Sequence, residues 1–264
     1  MTGAISFDSN SLQTFNQSTR VGIVTNSIDF ANIPNKVLNL YQLAHANQSV
    51  IPFINYPSKQ VTIAGAIVGS TQADLDSRLD TFRAYFNGVE KNLDINFSGA
   101  TRRFTATVNT INITRSVNGL YATFSIEFIC TIPFGYDTGS TTALNGTGRT
   151  SSVYTDNYTF LGTAPVQLPV ATITLTAVSS TGSQQLFWGN NGNGQGITIT
   201  RSNWTTGDVV IIDCVNRTVK VNGVSVDFTG AFPEFPPGSQ AISYSDTFTS
   251  RTMTENVVYN KRYL

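Results

Sequence analysis

Residues 61–97 read VTIAGAIVGSTQADLDSRLDTFRAYFNGVEKNLDINF, and this stretch decides the fold. VTIAGAIV is an apolar, β-branched run of strand length. Ser70 and Thr71 follow, with Asp74 three residues after Thr71. In that layout a hydroxyl caps the first free helical N–H groups and an acidic side chain reaches back. Leu75, Leu79, Phe82 and Phe86 then recur at helical spacing, and Asp76, Arg78, Asp80 and Arg83 occupy the opposite face. Gly88 closes the pattern, so the helix is expected over about 71–87. LDINF, residues 93–97, returns to strand. No other segment carries a comparable helical period, so this is expected to be the one substantial helix of a mainly β protein.

Downstream, Phe104, Ala106 and Val108 alternate, then Ile111 and Ile113 take the other phase, which predicts a β-bulge. Asn118-Gly119 predicts a two-residue hairpin turn. In the next strand Leu120, Ala122, Phe124, Ile126, Phe128, Cys130 and Ile132 are expected to point inward. Tyr121, Thr123, Ser125 and Glu127 fall on the outer face. Upstream, 21–24 and 27–30 suggest two short strands around an Asn26-Ser27 turn. Residues 37–43 and 50–56 suggest a hairpin turning at Asn47-Gln48, with Pro52 marking an edge or bulge.

From 137 to 165 the chain is poor in apolar residues and rich in Gly, Ser and Thr, which suggests a linker. The expected division is therefore 1–140, a linker 141–165, and 166–264. In the last part, 171–177, 184–188 and 197–200 alternate as strands. Residues 209–228 form a compact meander with turns at 215–217 and Asn222-Gly223, and 241–244 and 256–263 close the set. Short strands at even spacing point to a β-sandwich.

Only 12% of the 264 residues are charged, and 16 basic side chains balance 16 acidic ones. Such a chain offers no electrostatic basis for nucleic-acid binding. Low net charge suits a protein held in an assembly. No window is long and apolar enough for a membrane span, and the first residues, MTGAISFDSNSLQTF, are not expected to be a secretory signal. Cys130 and Cys214 lie in apolar strand patterns and are expected as buried free thiols. Asn-x-Ser/Thr triplets, including those at Asn16, Asn112 and Asn216, are expected by chance in a chain this rich in Asn, Ser and Thr.

Catalysis finds little support. A triad or a histidine-based metal site would rest on His45, the single histidine. Gly65, Gly69, Ser70 and Thr71 lack the lysine of a phosphate loop, and Gly192, Gly194 and Gly196 precede no helix. The first two are expected to allow close packing. Asp208 and Asp213, placed on one strand, would face opposite sides. No cofactor, metal or enzymatic activity is expected. A sharper alternative is sugar binding, with Trp188 and Trp204 stacking on pyranose faces and Asn190, Asn191 and Asn193 supplying hydrogen bonds. Against it stands the expectation that both indoles close the sandwich core.

The order of these segments resembles the distal tail protein (Dit) family of tailed bacteriophages. The N-terminal likeness runs from about Tyr41 to Tyr136 and includes KQVTIAGAIVG, STQADLDSRLDTF and FSIEFICTIPFGY. The C-terminal likeness covers GDVVIIDCVNRTVKVNGVSVDF, PPGSQAISY and the final VVYNKRYL. Asn47-Gln48 stands where the family favours glycine, and Lys59 where arginine is common. The resemblance implies an N-terminal β-sandwich or barrel-like domain bearing one helix, plus a C-terminal galectin-like sandwich. It implies a structural protein of the virion tail tip, made in the host bacterial cytoplasm, whose first domain forms a hexameric ring. Implied partners are the tail tube protein, the tail hub or tail-associated protein, receptor-binding or fibre proteins and the tape measure protein. Candidate subunit contacts are Tyr121, Thr123, Ser125 and Glu127 on the long strand and Asp76, Arg78, Asp80 and Arg83 on the helix. A free lectin-like protein, with Trp188, Trp204 and Asn191 on the glycan, and a tail tube or adaptor subunit are the alternatives.

Overall fold

The computed structural model describes residues 4–30, 37–38, 41–42, 49–50, 54–97, 99–117, 119–179 and 181–264. His45, the Asn47-Gln48 turn, Pro52 and Asn118 lie outside the described residues. The chain divides into two compact units, residues 1–136 with Leu264, and 137–263.

The first unit contains β1 (Ile5–Phe7), β2 (Asn10–Ser11), β3 (Gly22–Asp29), β4 (Val37–Leu38), β5 (Tyr41–Gln42), β6 (Ser49–Val50), β7 (Ile54–Asn55), β8 (Lys59–Val68), helix α1 (Gln72–Ala84), β9 (Lys91–Phe97), β10 (Ala100–Arg115) and β11 (Tyr121–Cys130). β4 pairs with β7 and β5 with β6, antiparallel, nesting one pairing inside the other. The main sheet runs β2-β1-β9-β10-β11-β8-β3. Beyond β2 the chain turns back onto β3: Thr14 and Phe15 N–H both donate to Ile23 O at 2.9 Å, and Asn16 N–H donates to Val21 O at 2.9 Å. The sheet thereby returns toward its own start in the barrel-like manner expected, which relieves a free edge of its unpaired groups.

One helix face fills this curved sheet. Leu75, Leu79 and Phe82 are buried against Val61, Ile63 and Ile67 of β8 and Phe124, Ile126 and Phe128 of β11. The Phe82 ring lies 4.8 Å from that of Phe124, and Phe7 lies 5.0 Å from Phe128. The helix begins where the hydroxyl–acid pair places it. Thr71 Oγ1 accepts from Asp74 N–H at 3.1 Å, and the Asp74 carboxylate reaches one residue further back, accepting from Ser70 N–H at 2.7 Å. It ends at Ala84 rather than near 87, because Tyr85 and Phe86 N–H close tighter turns onto Phe82 O and Arg83 O.

The bulge stands where the phase change put it, between Val108 and Thr110. Three expectations are corrected. Residues 22–29 form one strand with an irregularity between Thr25 and Ser27, so no Asn26-Ser27 turn exists; a bulge absorbs the extra residue without reversing the chain. The β10–β11 connection is not a two-residue turn: the strands end at Arg115 and Tyr121, and Ser116 N–H donates to Tyr121 O. Leu120 and Ile132 lie beyond the ends of β11 and are each 39% exposed, because inward alternation holds only while the ladder persists.

β12 (Gly135–Asp137) spans the division. The second unit then contains β13 (Thr141–Arg149), β14 (Val153–Phe160), β15 (Val170–Ser179), β16 (Gln184–Asn190), β17 (Gln195–Arg201), β18 (Val209–Asp213), β19 (Thr218–Val221), β20 (Val224–Ser225), β21 (Thr229–Gly230), β22 (Gly238–Asp246), β23 (Ser250–Tyr259) and β24 (Arg262–Tyr263). Two sheets, β13-β23-β15-β18-β19-β20 and β14-β22-β16-β17-β21, enclose one apolar core. This is the sandwich expected from the strand spacing.

The stretch 141–165 is not a linker. Most of it is the pair β13 and β14, one edge strand in each sheet. Edge strands touch the core with few side chains, so a sequence poor in apolar residues suffices, and Phe160 carries the burial. Ala177 is exposed, not inward, because the register slips between Leu175 and Ala177. Asn222 and Gly223 adopt φ of 52° and 79° and join β19 to β20 as a two-residue turn, as their sequence predicts. The strand after it ends at Ser225, short of the expected Phe228.

Candidate functional site

β11 lies inside the sheet, paired along its whole length with β8 and β10. Its own edges are therefore occupied, and only its outer face is open. On that face Tyr121 and Thr123 are exposed and Ser125 and Glu127 half-buried. Their cross-strand partners on β8 are Val68, Ala66, Ala64 and Thr62, and on β10 Ser125 and Thr123 oppose Asn112 and Thr114. The result is a face of mostly small, uncharged side chains. Asn109, the extra residue at the bulge, donates through Nδ2 to Glu127 Oε1 and holds that carboxylate to the sheet.

A second feature is the uneven pairing of β10, which β12 also joins off the main path of the sheet. Its pairing with β9 stops at Ala106, whereas its pairing with β11 runs on to Arg115. Residues 107–115 are thus paired with one neighbour in the main path of the sheet.

The four charged helix residues point outward, yet each is engaged within the unit. Arg78 pairs with Asp74 at 3.0 Å, Arg83 with Asp80 at 3.0 Å, and Asp76 with Arg115 of β10 at 2.7 Å. All are solvent-accessible pairs of modest energy, which a neighbouring chain can rearrange. The Asp74 carboxyl is held below its ordinary range by the Ser70 N–H and by Arg78. Thr14, Ile23, Asp74, Ser77, Arg78, Thr81 and Tyr85 line a shallow polar depression beside the helix.

In the second unit the sugar-stacking expectation is corrected. Trp188 is fully buried and Trp204 is 4% exposed. Trp188 donates its indole N–H to Glu255 Oε1 at 2.9 Å, and Trp204 donates to Gln184 O at 3.2 Å. Neither ring presents a face to a ligand. Asn190 and Asn193 are equally committed: both donate through Nδ2 to Glu234 O, at 2.9 and 2.8 Å, pinning the β16–β17 turn. Asn191 is exposed and its N–H donates to Ala241 O at 3.0 Å. Asp208 precedes β18 rather than sharing it with Asp213, and it is buried as the acceptor of Thr205 N–H and Asn222 Nδ2.

Sequence reasoning missed a buried ionic group at the β13–β14 side of this sandwich. Arg149, at the end of β13, lies 2.7 Å from Asp156 and 3.1 Å from Glu255, and its guanidinium sits over the Tyr154 ring at 4.6 Å. Desolvation pushes the Glu255 carboxyl up, with Arg149 and the Trp188 N–H opposing. Gly146 makes room for the arginine, since a Cβ there would meet the guanidinium. The signal in the sequence is an arginine within a stretch otherwise almost free of charge.

Cys130 and Cys214 are buried and unbridged, as expected, and burial raises both thiols to about 12. Lys59 is buried beside the Phe104 ring, 5.4 Å from its centroid, and burial lowers its ammonium. Among the described residues no group of three or more His, Cys, Asp or Glu could hold a metal ion, and no helix is long and apolar enough to cross a membrane.

Residues 161–263 match the family model described as the siphovirus-type tail component, C-terminal domain. The matched residues lie within the second unit. Across the full chain the fold matches that of SPP1 Dit (gp 19.1), whose structure is described as a paradigm of hub adsorption apparatus in phages infecting Gram-positive hosts. The TM-score is 0.67 with 13% identity, covering 100% of each chain. A chain of the phage P2 baseplate in its activated conformation with Ca gives a TM-score of 0.46 and 8% identity, covering 99% of this chain and 98% of that one. No curated protein matches the chain. The full-length likeness to SPP1 Dit is one of fold, and the family match is confined to residues 161–263.

Proposed function

We propose that this chain is a structural component of a phage tail tip or baseplate, forming a ring, hexameric as the family resemblance implies, between the tail tube and the tail hub. The match of 161–263 to a siphovirus tail-component domain carries this reading. Three further features support it. The chain has no net charge and few charges, which favours association over free solution. Its polar clusters are consumed by internal hydrogen bonds and ion pairs. The first unit also offers two different features: residues 107–115 of β10, which in the main path of the sheet pair with β11 and not with β9, and the outer face of β11. A head-to-tail contact between two unlike patches is the kind that closes a ring.

In this reading the first unit makes the ring, with the face carrying Tyr121, Thr123, Ser125 and Glu127 and the α1 charges Asp76, Arg78, Asp80 and Arg83 next to neighbouring chains. The ring joins the tail tube protein to the hub or tail-associated protein around the tape measure protein. The second unit anchors receptor-binding or fibre proteins, in a virion tail. Electron microscopy and sedimentation of the purified full-length chain test the proposal. Closed rings of uniform subunit number are expected, and a monodisperse monomer at tens of micromolar would overturn the ring. The lectin reading gains no support, because both tryptophans lie in the core.

A further inference from the structure

The sandwich has four edge strands, β13 and β20 in one sheet and β14 and β21 in the other. Three are blunted. β20 and β21 are two residues long, and β13 breaks register between Thr142 and Leu144 and again between Gly146 and Arg149. Short edges and bulges are the devices by which natural sheets refuse a further strand. β14 has none of them. Its eight residues pair with β22 in unbroken register from Val153↔Ser245 to Phe160↔Gly238, and the strand holds no proline or lysine.

The direction of its backbone groups follows from the ladder. Asp246 N–H donates to Ser152 O at 3.0 Å, and these residues are directly opposed in the same register. In an antiparallel ladder such bonded pairs alternate with unbonded ones. Tyr154, Asp156, Tyr158 and Phe160 therefore direct N–H and C=O toward β22, while Val153, Thr155, Asn157 and Thr159 direct theirs away from the sheet. Among the described residues no strand pairs with that side. Val153, Thr155, Asn157 and Thr159 are also exposed and uncharged. The single charge of the strand, Asp156, is bound to Arg149.

We propose that the outer edge of β14 is a strand-addition site, taking an extended, uncharged segment of another tail protein as a sixth strand of the five-stranded sheet. The backbone supplies the affinity through alternating N–H and C=O bonds, and Val153, Thr155 and Thr159 favour β-branched or hydroxyl-bearing neighbours. This rests on the tail-component reading above. The occupant is a different protein because two β14 edges pair antiparallel only across a two-fold axis, whereas copies in one ring all point the same way. The other sandwich edges are too short or too broken to serve a neighbouring copy, and in the ring reading residues 107–115 of β10 are taken by the ring contact itself.

Hydrogen exchange read by mass spectrometry on peptides covering 150–162 tests this, comparing the isolated full-length chain with tails purified from particles. Exchange in tails is expected to slow by about tenfold or more. Thr155→Pro removes only an outward N–H, so the isolated variant should keep the wild-type melting curve while its tails lose the added protection at 157–159. Unchanged exchange between free chain and tails overturns strand addition while leaving the tail role intact. Tails carrying the proline variant but still protected overturn it as well. A free dimer dissolved by Thr155→Pro assigns the edge to a second copy and overturns the chosen occupant. Absence of the chain from tails overturns the parent reading and this one together. Should the proline variant fail to fold, the wild-type comparison alone decides.

Discussion

The indole N–H of Trp188 meets the carboxylate of Glu255 at 2.9 Å inside the sandwich, joining the two sheets through a buried polar contact. Glu255 is 1% exposed and balanced by Arg149 at 3.1 Å, although its Oε2 has no aligned hydrogen-bond donor. Removing the carboxylate leaves an arginine charge and an indole N–H short of partners. Glu255→Ala should therefore cost about 3–5 kcal/mol, and Glu255→Gln, which retains an acceptor for Trp188, about 1–2 kcal/mol. Urea denaturation midpoints order the variants, and an alanine variant as stable as wild type would sink this account.

The same residue sets a pH dependence. Burial raises the Glu255 carboxyl above its ordinary 4.5, so the folded state holds that proton longer than the unfolded state does. Its contribution is fully present below 4.5 and is lost as pH rises through the folded value. The stability of wild type minus that of Glu255→Gln should be flat at low pH and fall once pH exceeds about 4.5. A difference that rises with pH would contradict the assignment.

Gly65 faces Val24 O and the Phe124 ring, with Phe124 Cζ 2.7 Å from where a Cβ would stand. Two strands and an aromatic ring converge there, so Gly65→Ala should destabilise the first unit by about 1–3 kcal/mol or more through overpacking. Thermal unfolding followed by circular dichroism checks it, with a neutral result counting against this packing.

Thr71→Ala removes the hydroxyl that accepts Asp74 N–H and should cost about 1 kcal/mol. Thr71→Ser should recover most of it. Equal melting of the alanine and serine variants would mean that the cap contributes nothing.

Cys130 and Cys214, both buried and raised to about 12, should react negligibly with an aromatic disulfide reagent at pH 8 in the native protein. Both should react at once in denaturant. Rapid labelling of one thiol in the native state would show that its unit opens readily.

Local chemistry was legible wherever a few adjacent residues determine the outcome. The Thr71–Asp74 cap, the Leu75–Leu79–Phe82 face, the phase change at Asn109 and the Asn222-Gly223 turn each follow from short-range geometry. What failed depended on distant neighbours. Strand ends at Leu120 and Ile132 are set by how far β8 and β10 run. The supposed linker is a pair of edge strands whose few anchors, Arg149, Asp156 and Phe160, find their partners only after folding. Trp188 and Trp204 would suit a sugar as well as a core until tertiary packing places both indoles inside.

The sequence by itself therefore determined a mainly β chain with one capped helix, a resemblance to a tail-protein family and a chain of no net charge, because periodicity, caps and composition are local or additive properties. Tertiary structure alone decided that β11 is interior, that Glu255 and Arg149 meet in the sandwich, and that β14 has β22 as its one strand partner among the described residues. Strand pairing brings together residues far apart in the chain, and which backbone groups remain unpaired is fixed only when every neighbouring strand has taken its place.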